Sequence, residues 1–137
     1  MKLLVVEDEP LVAQRWAGFC REILADGLDK LHVAAIQAEA GAWLAENPVD
    51  PALLDLNLEG QDGMELLKRS VASSFHTIIV SANTDRALEA FQYGVLDFVP
   101  KPFSRERLAR ALARSRGPLG RAAQAAQYLA LKKGGPD

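Results

Sequence analysis

Residues 3–10 read LLVVEDEP: four apolar residues, three acidic residues and a proline. A short, continuous apolar run is typical of a strand that is covered on both faces in a parallel sheet. Proline is tolerated in the first turn of a helix, where its missing N–H would have had no partner. The stretch therefore predicts a buried strand that ends at Glu7 and Asp8, followed by a helix that begins near Pro10.

Short apolar runs and longer stretches of helical period alternate along the rest of the chain. This alternation is typical of an α/β domain with right-handed crossovers. We expect a doubly wound, five-stranded parallel sheet of flavodoxin-like order 2-1-3-4-5. Gly94 is a natural helix end and Ser104 a natural helix start. The predicted strands are residues 3–6, 31–36, 52–56, 77–80 and 96–99, and the predicted helices are residues 10–27, 38–46, 64–72, 84–93 and 104–115.

The C-terminal part of the chain differs in composition from the rest. Residues 1–99 hold 7 basic and 16 acidic side chains, whereas residues 100–137 hold 9 basic and 2 acidic ones. We predict one domain over residues 1–116 and a helical linker or tail over residues 117–137, with an extra C-terminal helix over 119–132. Direct DNA binding by this basic tail is the alternative, but no aromatic residues are interleaved as in a known binding module.

The overall composition predicts a soluble protein. The chain has 137 residues, 49% hydrophobic and 25% charged, which suits one domain with a genuine core. No apolar run approaches the roughly 18–20 residues that span a bilayer. The acidic residues after Val6 come too early for a signal peptide, and the single Cys20 cannot form an internal disulfide. We expect a cytoplasmic protein without a membrane partner.

Chemically useful side chains follow four of the predicted strands. The first strand ends in Glu7 and Asp8, the third in Asp55 and the fourth in Ser81, and the fifth leads to Lys101. Ligands of such sheets bind outside the carboxyl ends of the strands, so these side chains should converge. A divalent cation such as Mg²⁺ would relieve the repulsion among three carboxylates. The set predicts in-line phosphoryl transfer to an aspartate, aided by the hydroxyl and the ammonium. Each residue alone has an ordinary structural explanation, and only their joint occurrence favours a site.

Five blocks of the sequence resemble the receiver domains of bacterial two-component response regulators. The resemblance covers residues 2 to about 115, and the blocks occur in the family's order. They are LVVEDEP at 4–10, LLDLNL at 53–58, DG at 62–63, IVSA at 79–82 and DFVPKPF at 97–103.

This resemblance implies the roles of the site residues. Asp55 would be the phosphoacceptor, supplied by a sensor histidine kinase or a phosphotransfer protein. The cofactor would be Mg²⁺, with Asp8 as a direct ligand and Glu7 as the second acidic residue. Asp55 itself and the backbone carbonyl of Asn57 would complete the protein's share of the metal site.

The resemblance also implies a switch. Ser81 would move toward the phosphoryl group, and Lys101, joined to Pro102 by a cis peptide bond, would bond the acyl phosphate. Phe98 stands where the family places its switch aromatic, although an ordinary core phenylalanine is the alternative. The protein would catalyse its own phosphorylation and dephosphorylation rather than act as an enzyme on another substrate.

The output implied by the resemblance is homodimerisation on activation or control of an attached effector. Residues 86–98 resemble receivers that are attached to LytTR-type DNA-binding domains, so the chain would be the receiver part of a transcriptional regulator, with its tail as the interdomain linker. A stand-alone receiver with an extra helix is the alternative. The residues after 116 are too few for such a domain. We therefore expect DNA binding only through an effector domain outside this chain.

Two other functions compete with this interpretation. A flavodoxin-type cofactor binder would need a Ser-, Thr- or Gly-rich phosphate loop after the first strand, and the acidic stretch at residues 7–9 would repel a phosphate. An interaction module that works without phosphorylation could share the fold, but it would not need the full set of site residues.

Overall fold

The computed structural model describes residues 1–58, 61–62, 64–70 and 75–115. Within these ranges, five parallel strands form one sheet with helices on both faces, which confirms the predicted doubly wound fold. The predicted helix over 119–132 and the boundary after residue 116 lie outside the described residues. The described helices are all too short or too polar to cross a membrane.

The strands of the main sheet are hydrogen-bonded in the order β2-β1-β3-β6-β7, and a separate two-stranded ladder joins β4 to β5. Counted within the main sheet alone, this is the predicted order 2-1-3-4-5. The strands are β1 (Lys2–Val6), β2 (Lys30–Ala34), β3 (Pro51–Asp55), β4 (Asn57–Leu58), β5 (Gln61–Asp62), β6 (His76–Ser81) and β7 (Asp97–Pro100).

Helices cover both faces of the main sheet. They are α1 (Pro10–Leu24), α2 (Gln37–Glu46), α3 (Met64–Ser70), α4 (Ala87–Gln92) and α5 (Arg105–Arg114), with 3₁₀ turns at Ala25–Gly27 and Thr84–Arg86. The predicted helix ends at Gly94 and Ser104 are confirmed. Gly94 has a φ of 77°, which favours glycine, and Ser104 Oγ accepts a hydrogen bond from the Arg107 N–H at 3.1 Å.

Alternation of the strand side chains divides the core into two layers. On one face, β1 and β3 contribute Leu4 and Leu54, which lie in a cluster with residues of α2, α3 and α4. On the other face, Leu3 and Leu53 lie in a cluster with residues of α1 and α5. The central strands β1, β3 and β6 are therefore almost fully buried, and their last residues are held at one edge.

Some local predictions differ from the structure. The ladder of β4 and β5 was not predicted, because two-residue strands have no sequence period. The predicted helix over 84–93 is divided into the 3₁₀ turn and α4. Strand β2 ends at Ala34 instead of residue 36, and Ile36 is 47% exposed at the start of α2. An edge strand has one unpaired side, so its apolar run can end in solvent.

Candidate functional site

Three carboxylates meet at the carboxyl edge of the sheet. Glu7 and Asp8 follow β1, and Asp55 ends β3, which pairs directly with β1. One oxygen from each of the three groups lies within 4.8 Å of the others. Glu7 and Asp55 are each 2% exposed, while Asp8 is half-buried. The structure thus brings together the three acidic residues that the strand ends predict.

Lys101 reaches this cluster from the loop after β7. Its Nζ lies 3.1 Å from Asp55 Oδ2 and 3.6 Å from Glu7 Oε2. The lysine backbone is fixed as well, because its N–H donates to the Ser81 carbonyl at 2.9 Å. The peptide bond to Pro102 is cis, as expected. The ammonium therefore bridges two of the carboxylates.

The Glu7 carboxyl is buried beside Asp55. Burial, and next the neighbouring Asp55 side chain, raise the pKa of Glu7 to about 8, although the hydrogen bond from the Glu9 N–H and the charge of Lys101 oppose the shift. Its Oε1 accepts a hydrogen bond from the Glu9 N–H at 3.2 Å, whereas Oε2 is buried without a hydrogen-bond donor among the described residues. A buried carboxylate oxygen without a donor is an unfavourable arrangement that a cation would relieve. Three clustered carboxylates, one of them with such an oxygen, fit a hard divalent cation such as Mg²⁺.

Ser81 is fully buried at the end of β6, next to Val80, which pairs with Asp55. Its Oγ accepts a hydrogen bond from the Asn83 N–H at 3.0 Å. Ala82, the next residue, is exposed and lines a pocket together with Lys101. The predicted hydroxyl residue therefore lies at the same edge as the acidic cluster.

Phe98 is 6% exposed and belongs to the core cluster that includes Ala90 of α4. Its backbone is held on both sides by an ion pair that sequence reasoning missed. The Phe98 N–H donates to Asp97 Oδ1 at 2.8 Å, and its carbonyl accepts from Arg107 Nη2 at 3.1 Å. Arg107 also donates to both Asp97 carboxylate oxygens, at 2.8 and 2.9 Å. The backbone of Phe98 is therefore tied to α5.

Asn57 lies at the start of β4, two residues after Asp55. The role of its backbone carbonyl as a metal ligand stays a prediction.

Trp16 of α1 is a second residue that sequence reasoning missed. Trp16 lies on the buried side of α1 and is 3% exposed. Its ring centroid, however, lies 5.1 Å from Lys101 Nζ. Periodicity assigns a residue to the buried side of a helix but does not say which residue of a distant loop it contacts. No sequence signal would have found this pair.

The fold and this edge define a doubly wound α/β domain with an acidic cluster at the carboxyl end of its sheet. The chain matches the response regulator receiver domain family over residues 3–113, and it belongs to that family.

Similar proteins include a sensory transduction protein and a biosynthesis regulatory protein. The chain is 32% identical over 114 residues to the sensory transduction protein LytR of Staphylococcus epidermidis, covering 82% of this chain and 44% of that protein. It is 31% identical over 121 residues to the positive alginate biosynthesis regulatory protein of Pseudomonas aeruginosa, covering 86% and 48%. The chain thus spans about half the length of these curated relatives.

Solved receiver structures have the same fold. The response regulatory domain of protein mrkE from Klebsiella pneumoniae superposes with a TM-score of 0.76 at 24% identity, covering 91% of this chain and 99% of that one. The receiver domain of the Francisella response regulator 1452 gives a TM-score of 0.68 at 30% identity, covering 82% and 93%.

Proposed function

We propose that this receiver domain accepts a phosphoryl group on Asp55 from a sensor histidine kinase or a phosphotransfer protein, in an Mg²⁺-dependent reaction. The observation that carries the proposal is the bridge from Lys101 Nζ to Asp55 Oδ2 at 3.1 Å, inside a cluster of three carboxylates. The Asp55 carboxylate is the potential nucleophile. The Lys101 ammonium beside it can neutralise the negative charge of a phosphoryl group bonded to Asp55.

Asp8, Asp55 and the carbonyl of Asn57 would hold Mg²⁺, with Glu7 beside them. The ion would neutralise charge on the incoming phosphoryl oxygens. In the transfer, an Asp55 carboxylate oxygen forms a bond to phosphorus while the bond from phosphorus to the donor's imidazole nitrogen breaks. The imidazole keeps the electron pair of that bond. Lys101 then pairs with a phosphoryl oxygen, because its ammonium already lies at that side of Asp55.

Ser81 and Phe98 would report the modification. Ser81 would donate its hydroxyl to a phosphoryl oxygen, and Phe98 would repack against the space that Ser81 leaves. Phe98 has no hydroxyl, so the change would act by packing, as a shift between two populations. Release of the phosphoryl group to water would reset the domain.

The output would be homodimerisation or control of an attached effector domain, through which a longer protein would bind DNA in the cytoplasm. The names of the curated relatives support this proposal, since two of them are a sensory transduction protein and a positive biosynthesis regulator.

Labelling by acetyl phosphate tests the proposal. The wild type should gain the mass of one phosphoryl group with Mg²⁺ and none with excess EDTA. Asp55→Asn should abolish labelling, and Asp8→Ala and Lys101→Ala should slow it strongly. Asp26→Asn is the matched control, because Asp26 is an exposed carboxylate in the 3₁₀ turn after α1 and should be harmless. Full labelling of Asp55→Asn together with a harmless Asp8→Ala would refute the proposal.

A further inference from the structure

Lys101 is held by more than its carboxylate partners. The side chain is 28% exposed and its ammonium lies over the ring of the buried Trp16, 5.1 Å from the centroid. A tryptophan face attracts a cation through its quadrupole, most strongly where water is excluded. The ammonium therefore contacts both a pair of carboxyl groups and an indole ring.

The position of Trp16 is itself fixed by packing. Its ring centroid lies 5.8 Å from that of Phe103, which in turn lies 6.3 Å from the ring of Phe19 on the next turn of α1. Phe103 belongs to the same loop as Lys101. The aromatic cluster of Trp16, Phe19 and Phe103 thus joins α1 to the loop that carries the ammonium.

The contact of the Lys101 ammonium with Trp16 matters most during phosphorylation. A lysine has a flexible four-carbon stem, and holding its ammonium in one place costs side-chain entropy. In the unmodified protein the carboxylates of Asp55 and Glu7 hold it. Once a phosphoryl group is bonded to Asp55, the ammonium would exchange its contact with that carboxylate for a contact with a phosphoryl oxygen. The indole face is uncharged and does not change during the reaction.

We propose that Trp16 is a positioning residue for phosphoryl transfer, which keeps the Lys101 ammonium beside Asp55 through a cation–π contact. This inference rests on the proposed function, because it concerns the rate at which Asp55 is modified. It adds a residue of α1 to a site otherwise formed by the ends of the strands.

The main test is a double-mutant cycle on the initial rate of labelling by acetyl phosphate at saturating Mg²⁺. Trp16→Leu should slow labelling about 3- to 30-fold, and Trp16→Phe should slow it less, because phenylalanine offers a weaker π face. In a Lys101→Ala background, Trp16→Leu should change the remaining rate by less than about twofold, since its partner is gone. An equal loss in both backgrounds would overturn the proposal.

Trp43→Leu is the matched control. It makes the same substitution at a tryptophan of α2 that is stacked on His32, with 4.8 Å between ring centroids, and that has Lys30 instead of Lys101 over its ring. It should leave the labelling rate nearly unchanged. If Trp43→Leu slows labelling as much as Trp16→Leu at equal urea midpoints, Trp16 is merely structural and the proposal fails.

A second readout needs no phosphorylation. In a Trp43→Phe protein, Trp16 is the remaining tryptophan, and its fluorescence should change on Lys101→Ala but not on Lys68→Ala. Lys68 is the matched control, because it is an exposed lysine of α3 paired with Glu65. Identical Trp16 emission in all three proteins would show that the Lys101 ammonium does not contact the indole ring, and would overturn the proposal. Absence of labelling in the wild type would instead refute the proposed function, so the two failures are distinguishable.

Discussion

Asp97→Ala should destabilise the domain more than the loss of any surface ion pair. Asp97 is 5% exposed at the start of β7, and its carboxylate accepts two hydrogen bonds from Arg107 and one from the Phe98 N–H. The substitution removes both acceptor oxygens and therefore all three hydrogen bonds. It leaves Arg107 without its carboxylate and the Phe98 N–H without this partner.

The size of the effect follows from the burial of the two partners. Breaking a buried ion pair by removing one partner costs about 3–5 kcal/mol. The Arg107 side chain is 25% exposed, so water can partly replace the lost carboxylate. We therefore expect a loss of about 2–3 kcal/mol in the free energy of unfolding. At about 4 °C per kcal/mol for a domain of this size, Tm should fall by about 8–12 °C.

Urea unfolding followed by tryptophan fluorescence measures this loss, with unchanged m-values as the check on two-state behaviour. Glu22→Ala is the matched control. It breaks the pair of Glu22 with Arg105, whose side chains are 63% and 44% exposed, and should cost less than about 1 kcal/mol. If Asp97→Ala lowers the free energy of unfolding no more than Glu22→Ala does, the ion pair of Asp97 and Arg107 does not stabilise the packing of α5 against β7, and the prediction is wrong.

Three further outcomes are expected. Folding raises the pKa of Glu7 from 4.5 to about 8, so the folded state binds the extra proton; the free energy of unfolding of the metal-free protein should fall as pH rises through this window. Glu7→Gln should flatten that dependence in urea titrations at several pH values, and an unchanged slope would contradict the assignment. Burial raises the pKa of the Cys20 thiol to about 12, so at pH 8 a disulfide reagent should modify the folded protein far more slowly than the urea-unfolded chain, and equal rates would contradict it. Ser104→Ala should cost about 1 kcal/mol in urea unfolding through loss of the cap on Arg107 N, whereas a neutral result would show that the cap is dispensable.

The sequence predicts the framework well because the framework depends on local patterns. The continuous apolar run at residues 3–6 is typical of a strand covered on both faces, and these residues form the buried part of β1. The acidic residues after it share an edge with Asp55 because parallel strands end together. The predicted strand order therefore indicates that residues far apart in the sequence form one site.

Contacts between distant side chains could not be predicted in the same way. Helical spacing indicates that Trp16 is buried, but its contact with Lys101 depends on how α1 packs against a loop 85 positions later in the sequence. The pair of Asp97 and Arg107 likewise depends on where α5 begins relative to β7. Such pairs are set by tertiary packing, which no short-range pattern encodes.

The central claim, that Asp55 is the phosphoacceptor, is tested most directly by locating the modification. Protein phosphorylated by acetyl phosphate with Mg²⁺ is treated with borohydride, which reduces an aspartyl phosphate to homoserine, and is then digested and mapped by mass spectrometry. We expect homoserine at position 55 only, and none in a sample treated with EDTA. Homoserine at position 8, the equivalent reduction product at Glu7, or phosphoprotein with position 55 unchanged, would contradict the account.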